Sequence, residues 1–313
     1  MVTVGFVGLG VMGGNIATRL LGAGHVVQGY NRTAAKAASL TEAGMTVAAT
    51  PRSAARGASV VFSMVSDGEA LAQVCAGEDG ILAGLSPGAV FVDLSTVGPA
   101  ASEAARIATQ ERGCRFLAAP VSGSVSTIRE GKLSFMVGGD AGALEEIRPV
   151  LLDIGSRIIH VGTVQQAAVM KLAVNLSVAT QVIAFSEGVL LAGHYGVEPE
   201  QAVDILLGSV VASPMLAYRG RFLLEPPEVP WFTVALARKD LRITHDAAER
   251  ISLPLWSLAA AAPVLAAAEA LGFGDEELAS VGHALRMMSS GDRDGAHEPA
   301  LRPVTGAGRE SGR

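Results

Sequence analysis

The stretch GFVGLGVMGGNIATRLL, residues 5–21, predicts the fold class of the first half of the chain. An apolar β-rich run passes directly into a helical pattern, and the turn between them has the spacing G-x-G-x-x-G. The first glycine suits a tight turn, the second lets the backbone approach a pyrophosphate, and the third lets helix and strand pack closely. A lone match is weak evidence, but the strand before it and the helix after it are the context that a dinucleotide-binding loop requires. The predicted cofactor loop is Gly8, Leu9, Gly10, Val11, Met12 and Gly13.

The end of the next β-rich run, YNRT, bears on which dinucleotide is bound. An NAD-binding loop places an acid there for the ribose hydroxyl. Asn31 stands in place of that acid, Arg32 can pair with a 2′-phosphate through its guanidinium, and Thr33 can donate a hydroxyl hydrogen bond. The sequence therefore predicts NADP(H) in preference to NAD(H). A solvated surface cation is the alternative interpretation of Arg32.

The order of patterns along the chain predicts two domains. Over residues 1–162, short β-rich runs alternate with helical ones, which indicates an α/β domain with a doubly wound parallel sheet of the Rossmann type. Over residues 163–290 every pattern is helical, starting with one long helix, so this part is predicted to be an all-helical domain. The remaining residues, 291–313, are rich in Gly, Pro, Arg and Glu and are predicted to be disordered.

Composition limits the function classes. Half of the 313 residues are apolar, which is enough for two large cores, and the formal net charge is −6. No basic patch predicts nucleic acid or an anionic membrane surface as a partner, so a small molecule is expected. Cys75 and Cys114 have no metal-ligand spacing, which predicts reduced thiols in a cytoplasmic protein and no metal site. The longest apolar run is interrupted by polar residues and predicts a core helix rather than a membrane span.

A single lysine lies within the long apolar helix. Lys171 is the only Asp, Glu, Lys or Arg between Arg157 and Glu187. Burial of an unpaired ammonium is unfavourable, so we expect its pKa to be lowered. Asn175 lies four residues later, on the same helical face, where its amide can reach the ammonium or a ligand. The alternative is a lysine whose stem is buried and whose head reaches water.

An ordered series of motifs resembles the β-hydroxyacid dehydrogenase family, and within it the glyoxylate/succinic semialdehyde reductase branch. The series runs over nearly the whole chain, and no single motif carries it. The resemblance implies a Rossmann domain joined by a long helix to a helical domain that binds substrate and mediates homodimer formation. The motifs are GLGVMGGN, YNRT, MVSD, DLSTV, PVSGS, EGKL, MKLAVN, FSEGVLLA, SPML, the segment from Phe232 to KDLR, and GFGDEELASV.

The same resemblance implies a reaction and a set of site residues. The reaction is NADPH-dependent reduction of a small aldehyde or oxo acid to the hydroxy acid, with Lys171 as general acid and Asn175 as the orienting amide. Ser122 and Gly123 would hold a substrate carboxylate, and the hydroxyl of Ser124 in the same short polar turn could join them. The other implied site residues are Thr96 beside the nicotinamide, Phe232 and Asp240 at the substrate, Lys239 near the cofactor, and Val65 on the adenosine side.

The chain departs from the family pattern at three places near the predicted substrate residues. Gln165 and Ala167 occupy positions where the family has glycine, and side chains there would crowd a close approach of ligand to backbone. Residues 125–127, VST, lack the basic residues of the reductase branch, which implies weaker attraction for a second acidic group. Ala119 stands where many relatives have Asp.

Two other functions compete with this prediction. An imine reductase on the same fold would suit YNRT, but such relatives typically have Asp or Tyr in place of the lysine. A nucleotide-binding scaffold without catalysis would be expected to lack Lys171 or Asn175, and both are present.

Overall fold

The computed structural model describes residues 1–289. Contacts divide the described chain into two compact units, the first formed by Met1–Ser177 and Arg238–Leu258 and the second by Val178–Ala237 and the described residues from Ala259 onward. The predicted domain limit after residue 162 marks a change in secondary structure, and as a domain limit it stays a prediction. The predicted disordered tail, 291–313, lies outside the described residues.

The first unit is built on one nine-stranded sheet with the order β3-β2-β1-β4-β5-β6-β8-β7, and β9 pairs with β8. Strands β1 to β6 are mutually parallel in the doubly wound order, as predicted. One edge differs, because β8 runs antiparallel to both β6 and β7. The strands are β1 Thr3–Val7, β2 Val26–Tyr30, β3 Thr46–Val47, β4 Val60–Ser63, β5 Val90–Asp93, β6 Arg115–Ala118, β7 Val121–Ser122, β8 Leu133–Gly139 and β9 Gly155–Gly162.

Helices cover both faces of this sheet, because alternate residues of each central strand point to opposite faces. In β4, Val60 and Phe62 join one core cluster and Val61 joins the other. Sequence patterns missed three short helices, Pro51–Ala55, Ile81–Gly84 and Val125–Arg129, because four or five residues are too few to show a clear helical period. The helices are α1 Val11–Gly22, α2 Ala38–Glu42, α3 Pro51–Ala55, α4 Gly68–Cys75, α5 Ile81–Gly84, α6 Pro99–Gln110, α7 Val125–Arg129 and α8 Ala141–Ile154.

The rest of the described chain consists of helices and the loops that connect them, with an isolated bridge between Thr233 and Glu277. The predicted long helix is observed, and a helix that the patterns missed begins with Pro at its first position and has Ser213 as its N-cap. The helices are α9 Val164–His194, α10 Pro199–Leu207, α11 Pro214–Arg219, α12 Val234–Glu249, α13 Trp256–Ala268 and α14 Val281–Ser289.

A buried ion pair organises the second unit. Arg219 and Glu277 are 4% and 1% exposed, and Arg219 Nε lies 3.1 Å from Glu277 Oε1. The other carboxylate oxygen accepts hydrogen bonds from the backbone N–H groups of Trp231 (2.7 Å) and Phe232 (3.1 Å). The guanidinium also lies 5.7 Å from the ring centre of Phe232. The motif GFGDEELASV therefore supplies the acid that holds the segment around Phe232.

Two helical segments, Val164–His194 and Trp256–Phe273, are long and apolar enough to cross a membrane by length and composition alone. The first packs within both units: Val164 and Ala167 belong to a core cluster of the sheet, and Phe185 and Val189 belong to a core cluster of the helical unit. These contacts are those of a core helix.

Candidate active site

The glycine loop lies where β1 and β4 end, the point at which the strand order reverses and where doubly wound sheets bind ligands. Gly8 has φ of +100°, and a Cβ on it would lie 2.1 Å from the carbonyl oxygen of Met64. A Cβ on Gly13 would lie 2.0 Å from the carbonyl oxygen of Gly8, whereas one on Gly10 would meet no atom within 4 Å. The loop therefore has the tight turn, the close helix packing and the open middle position that a pyrophosphate requires.

We expect Gly13→Ala to lower the free energy of unfolding by about 1–3 kcal/mol, because the added methyl group must displace the backbone at Gly8. Gly14→Ala is the matched control in the same helix, since its Cβ would approach only the carbonyl oxygen of Leu9, at 3.8 Å. That variant should be as stable as the parent or more stable by about 0.5–1 kcal/mol. Urea unfolding measures both, and equal stabilities of the two variants would contradict the role given to Gly13.

Both polar atoms of the Asn31 side chain form hydrogen bonds with the backbone, in the loop after β1 and in the loop after β2. Its Oδ1 accepts a hydrogen bond from Leu9 N (2.9 Å), and its Nδ2 donates to the carbonyl oxygen of Thr33 (2.9 Å). Arg32 and Thr33 are exposed. The side chain predicted to replace the NAD-type acid thus shapes the loop, and the exposed cation and hydroxyl stay accessible to a ligand.

A cleft of about 410 Å³ runs beside the glycine loop. Its lining includes an exposed cation, Lys36, that the sequence prediction missed; its spacing of four residues after Arg32 in NRTAAK was the available signal. The lining residues are Leu9, Gly10, Val11, Gly14, Asn15, Thr18, Lys36, Ser39 and Leu40.

Lys171 and Asn175 are hydrogen-bonded to each other, and their catalytic role stays a prediction. Lys171, partly buried, donates from Nζ to Asn175 Oδ1 (2.8 Å), and Asn175 Nδ2 donates to Asp240 Oδ2. A lysine can only donate and a carboxylate can only accept, so these two neighbours determine the orientation of the amide. Asn175 and Asp240 are 6% and 2% exposed, which keeps this arrangement out of bulk water.

Lys239 is a second cation beside Asp240, the carboxylate that accepts from Asn175. Its ammonium forms an ion pair with Asp240 Oδ1 (2.6 Å), without a well-aligned hydrogen bond at that oxygen. It also donates to the carbonyl oxygens of Ser66 (2.6 Å) and Thr96 (3.1 Å). Burial alone would raise the pKa of Asp67, but hydrogen bonds from Ala70 N–H and Ser66 and the charge of Lys239 hold that pKa below its usual value. Lys239 therefore links the predicted cofactor loops to the acid that holds Asn175.

The residues of the PVSGS turn differ in how accessible they are. Ser122 is partly buried, and Gly123 is exposed with φ of +145°. Ser124 is 3% exposed, and its hydroxyl caps α7 by accepting from Thr127 N (3.5 Å). Ala119 is fully buried in a core cluster. Ser122 and Gly123 are thus the accessible members of the turn, and a substrate role for Ser124 stays a prediction.

Gln165 and Ala167, which stand where the family has glycine, lie in the first turn of α9. Ala167 is fully buried in a core cluster, and its methyl group faces Gly138 of β8. Gln165 is partly buried, while Gln166 and Thr163 form reciprocal hydrogen bonds at the helix start. The methyl group of Ala167 therefore packs against the sheet.

Two family models match nearly all of the described chain. One, described as the NAD-binding domain of 6-phosphogluconate dehydrogenase, matches residues 3–162. The other, described as NAD-binding of NADP-dependent 3-hydroxyisobutyrate dehydrogenase, matches residues 166–285. The chain belongs to the β-hydroxyacid dehydrogenase family. It is an NAD(P)-dependent oxidoreductase that acts on hydroxyl or carbonyl groups.

Individual relatives agree with this membership. The dehydrogenase is 32% identical over 289 residues to glyoxylate/succinic semialdehyde reductase 2, chloroplastic, of Arabidopsis thaliana, covering 92% of this chain and 81% of that protein. It is 30% identical to Mycobacterium tuberculosis 3-hydroxyisobutyrate dehydrogenase, solved with L-serine, with a TM-score of 0.79 over 91% of this chain and 99% of that one. It is also 33% identical over 279 residues to human cytokine-like nuclear factor N-PAC, covering 89% of this chain and spanning about half of that protein's length.

Within residues 1–289, the dehydrogenase brings no three His, Cys, Asp or Glu side chains together as a metal site would require. Both cysteines are buried and unpaired. Burial, together with the charge of Asp93, raises the pKa of the Cys75 thiol to about 12.

Proposed function

We propose that this dehydrogenase reduces a small aldehyde or oxo acid to the hydroxy acid with NADPH, and that Lys171 protonates the carbonyl oxygen. The observation that carries the proposal is the Lys171–Asn175–Asp240 arrangement, in which a partly buried ammonium group donates to a buried amide that a buried carboxylate holds. A scaffold without catalysis has no need of a partly buried lysine held in this way.

Reduction of a carbonyl group by hydride transfer requires two contributions from the protein. A bound nicotinamide cofactor supplies the hydride, and the carbonyl oxygen then becomes an alkoxide that needs stabilisation and a proton. Lys171 meets both needs, because it is a cation and a proton donor. Asn175 holds the ammonium through Oδ1, and Asp240 holds Asn175, so the donor is positioned before the substrate arrives.

Substrate recognition is proposed for the remaining predicted residues. Ser122 and the backbone at Gly123 would bind a carboxylate, and Thr96 would lie beside the nicotinamide. Phe232 would supply an apolar wall, and the buried pair Arg219–Glu277 holds its backbone. Because the Ser124 hydroxyl is buried in the helix cap, the carboxylate would be bound by Ser122 and Gly123.

NADPH oxidation against a panel of carbonyl compounds tests the proposal. The panel is glyoxylate, succinic semialdehyde, tartronate semialdehyde, methylglyoxal and a cyclic imine, with L-serine oxidation as the reverse test. Turnover of one of the oxo compounds is expected. Turnover of the imine alone would favour the imine reductase alternative, and NADPH binding without any turnover would favour a nucleotide-binding scaffold.

We propose NADPH in preference to NADH because an exposed cation, Arg32, follows β2 and a second one, Lys36, lines the adjacent cleft. Arg32→Ala should raise the KM for NADPH by about tenfold or more, since it removes a charge-assisted hydrogen bond to the 2′-phosphate, and should leave the KM for NADH within about twofold. Arg56→Ala, which removes another exposed cation, is the control. Equal use of NADH by the parent enzyme would contradict this preference.

A homodimer and a cytoplasmic location are also proposed. Only 39% of the most apolar window of α9 and 22% of that of Trp256–Phe273 is buried in the chain itself, and Leu191 is 64% exposed. A second copy of the chain would cover such surfaces, and no membrane or nucleic acid is needed as a partner. Light scattering should give twice the mass of the chain.

A further inference from the structure

A buried carboxyl group at the end of β5 has no part in the proposed chemistry. Asp93 is 1% exposed, and its Oδ1 accepts hydrogen bonds from the hydroxyls of Ser63 (2.7 Å) and Ser95 (2.6 Å) and from Ser95 N (3.3 Å). Ser63 is the last residue of β4, and Ser95 follows β5. One carboxyl oxygen therefore joins the ends of two neighbouring strands.

Ser95 extends this connection to the loop after β4. Its hydroxyl donates to Asp93 and accepts from Val65 N (2.9 Å), so it bridges the two loops. The backbone carbonyl of Asp93 also accepts from Ala119 N (2.7 Å), just before the PVSGS turn. Three segments at the carboxyl edge of the sheet are thus attached to one residue.

The loops joined in this way are those that contain Val65 and Thr96. Lys239 bridges the same two loops through the carbonyl oxygens of Ser66 and Thr96. Burial raises the pKa of Asp93, and the hydrogen bonds from Ser95 and Ser63 and the charge of Lys239 oppose that rise. Burial of a carboxyl group is unfavourable, and an apolar residue would suffice to end a buried strand. The buried carboxyl group of Asp93 is therefore best explained by the loops to which it is hydrogen-bonded.

We propose that Asp93, acting through the Ser95 hydroxyl, is a positioning residue that sets the separation of the loops after β4 and β5 for the bound dinucleotide. This inference rests on the proposed function. A ligand that contacts both loops binds most tightly when they are already correctly spaced, because no ordering is then needed on binding.

The test measures the Kd for NADPH by fluorescence in the absence of substrate, beside the Tm of each variant. Ser95→Ala should raise that Kd by about tenfold, since Val65 N–H loses its hydrogen-bond partner and Asp93 loses the hydroxyl that connects it to the loop after β4. Ser95→Thr, which retains the hydroxyl, should restore the parent value to within about threefold. Ser102→Ala is the matched control, because Ser102 is equally buried but makes only a 3.5 Å contact with the carbonyl oxygen of Val164.

A Kd for Ser95→Ala within twofold of the parent value would overturn the proposal, whatever the Tm. A Kd for Ser95→Thr as high as that for Ser95→Ala would also overturn it. If Ser95→Ala fails to fold, Asp93→Asn and Ser63→Ala are measured in the same way, and unchanged Kd values for both would also overturn it. The Kd measurements use no substrate, so they test the role of Asp93 separately from the reaction. A parent enzyme that binds NADPH but reduces no carbonyl compound would refute the proposed function, and the Kd values of the variants would still test this proposal.

Discussion

Lys171→Ala should lower kcat for the best carbonyl substrate by roughly 10²–10⁴-fold, the usual contribution of a positioned general acid. Lys171 is the proposed cation and proton donor, held by Asn175 and through it by Asp240, and alanine supplies neither charge nor proton. The Kd for NADPH should stay within about threefold, because the residues proposed to bind the cofactor lie in other segments. Steady-state kinetics and fluorescence titration measure the two quantities separately.

Two further variants sharpen this result. Lys171→Arg keeps the positive charge but has a pKa too high to release a proton readily, so it should remain at least tenfold below the parent in kcat. Arg148→Ala, which removes a half-buried cation of α8 that pairs with Glu145, is the control and should retain full activity. A Lys171→Ala enzyme with more than a tenth of the parent kcat would remove the lysine from its proposed role.

Glu277→Gln should lower the free energy of unfolding by about 3–5 kcal/mol, because it leaves Arg219 as a buried cation without its counter-charge. The amide can still accept from the backbone N–H groups of Trp231 and Phe232, so the loss reports mainly on the charge. Urea or thermal unfolding of the whole chain measures the effect.

The matched control for that variant is an exposed ion pair. Asp204 pairs with Arg221 at 2.6 Å, but both side chains are more than half exposed. Asp204→Asn should therefore change the free energy of unfolding by no more than about 1 kcal/mol. If the two variants lost equal stability, the Arg219–Glu277 pair would have no special structural role.

Much of the fold follows from local patterns. The glycine spacing after β1, the alternation of strands and helices and the long apolar α9 were all predictable, because each depends on residues close together in the chain. The antiparallel edge at β8 was missed because pairing direction depends on which strands meet in space. The helices α3, α5 and α7 were missed because four or five residues show no reliable period.

The sequence alone determined the family resemblance, the dinucleotide loop and the pairing of Lys171 with Asn175, since a separation of four residues on a helix is a local fact. The contacts that hold Lys171 and Asn175 in place depend on the tertiary structure. Asn175 and Asp240 are 65 residues apart, and Lys239 reaches Ser66 across 173 residues. Such contacts exist because the helical chain returns to the edge of the sheet. No local pattern determines which distant polar groups will then lie within hydrogen-bonding distance.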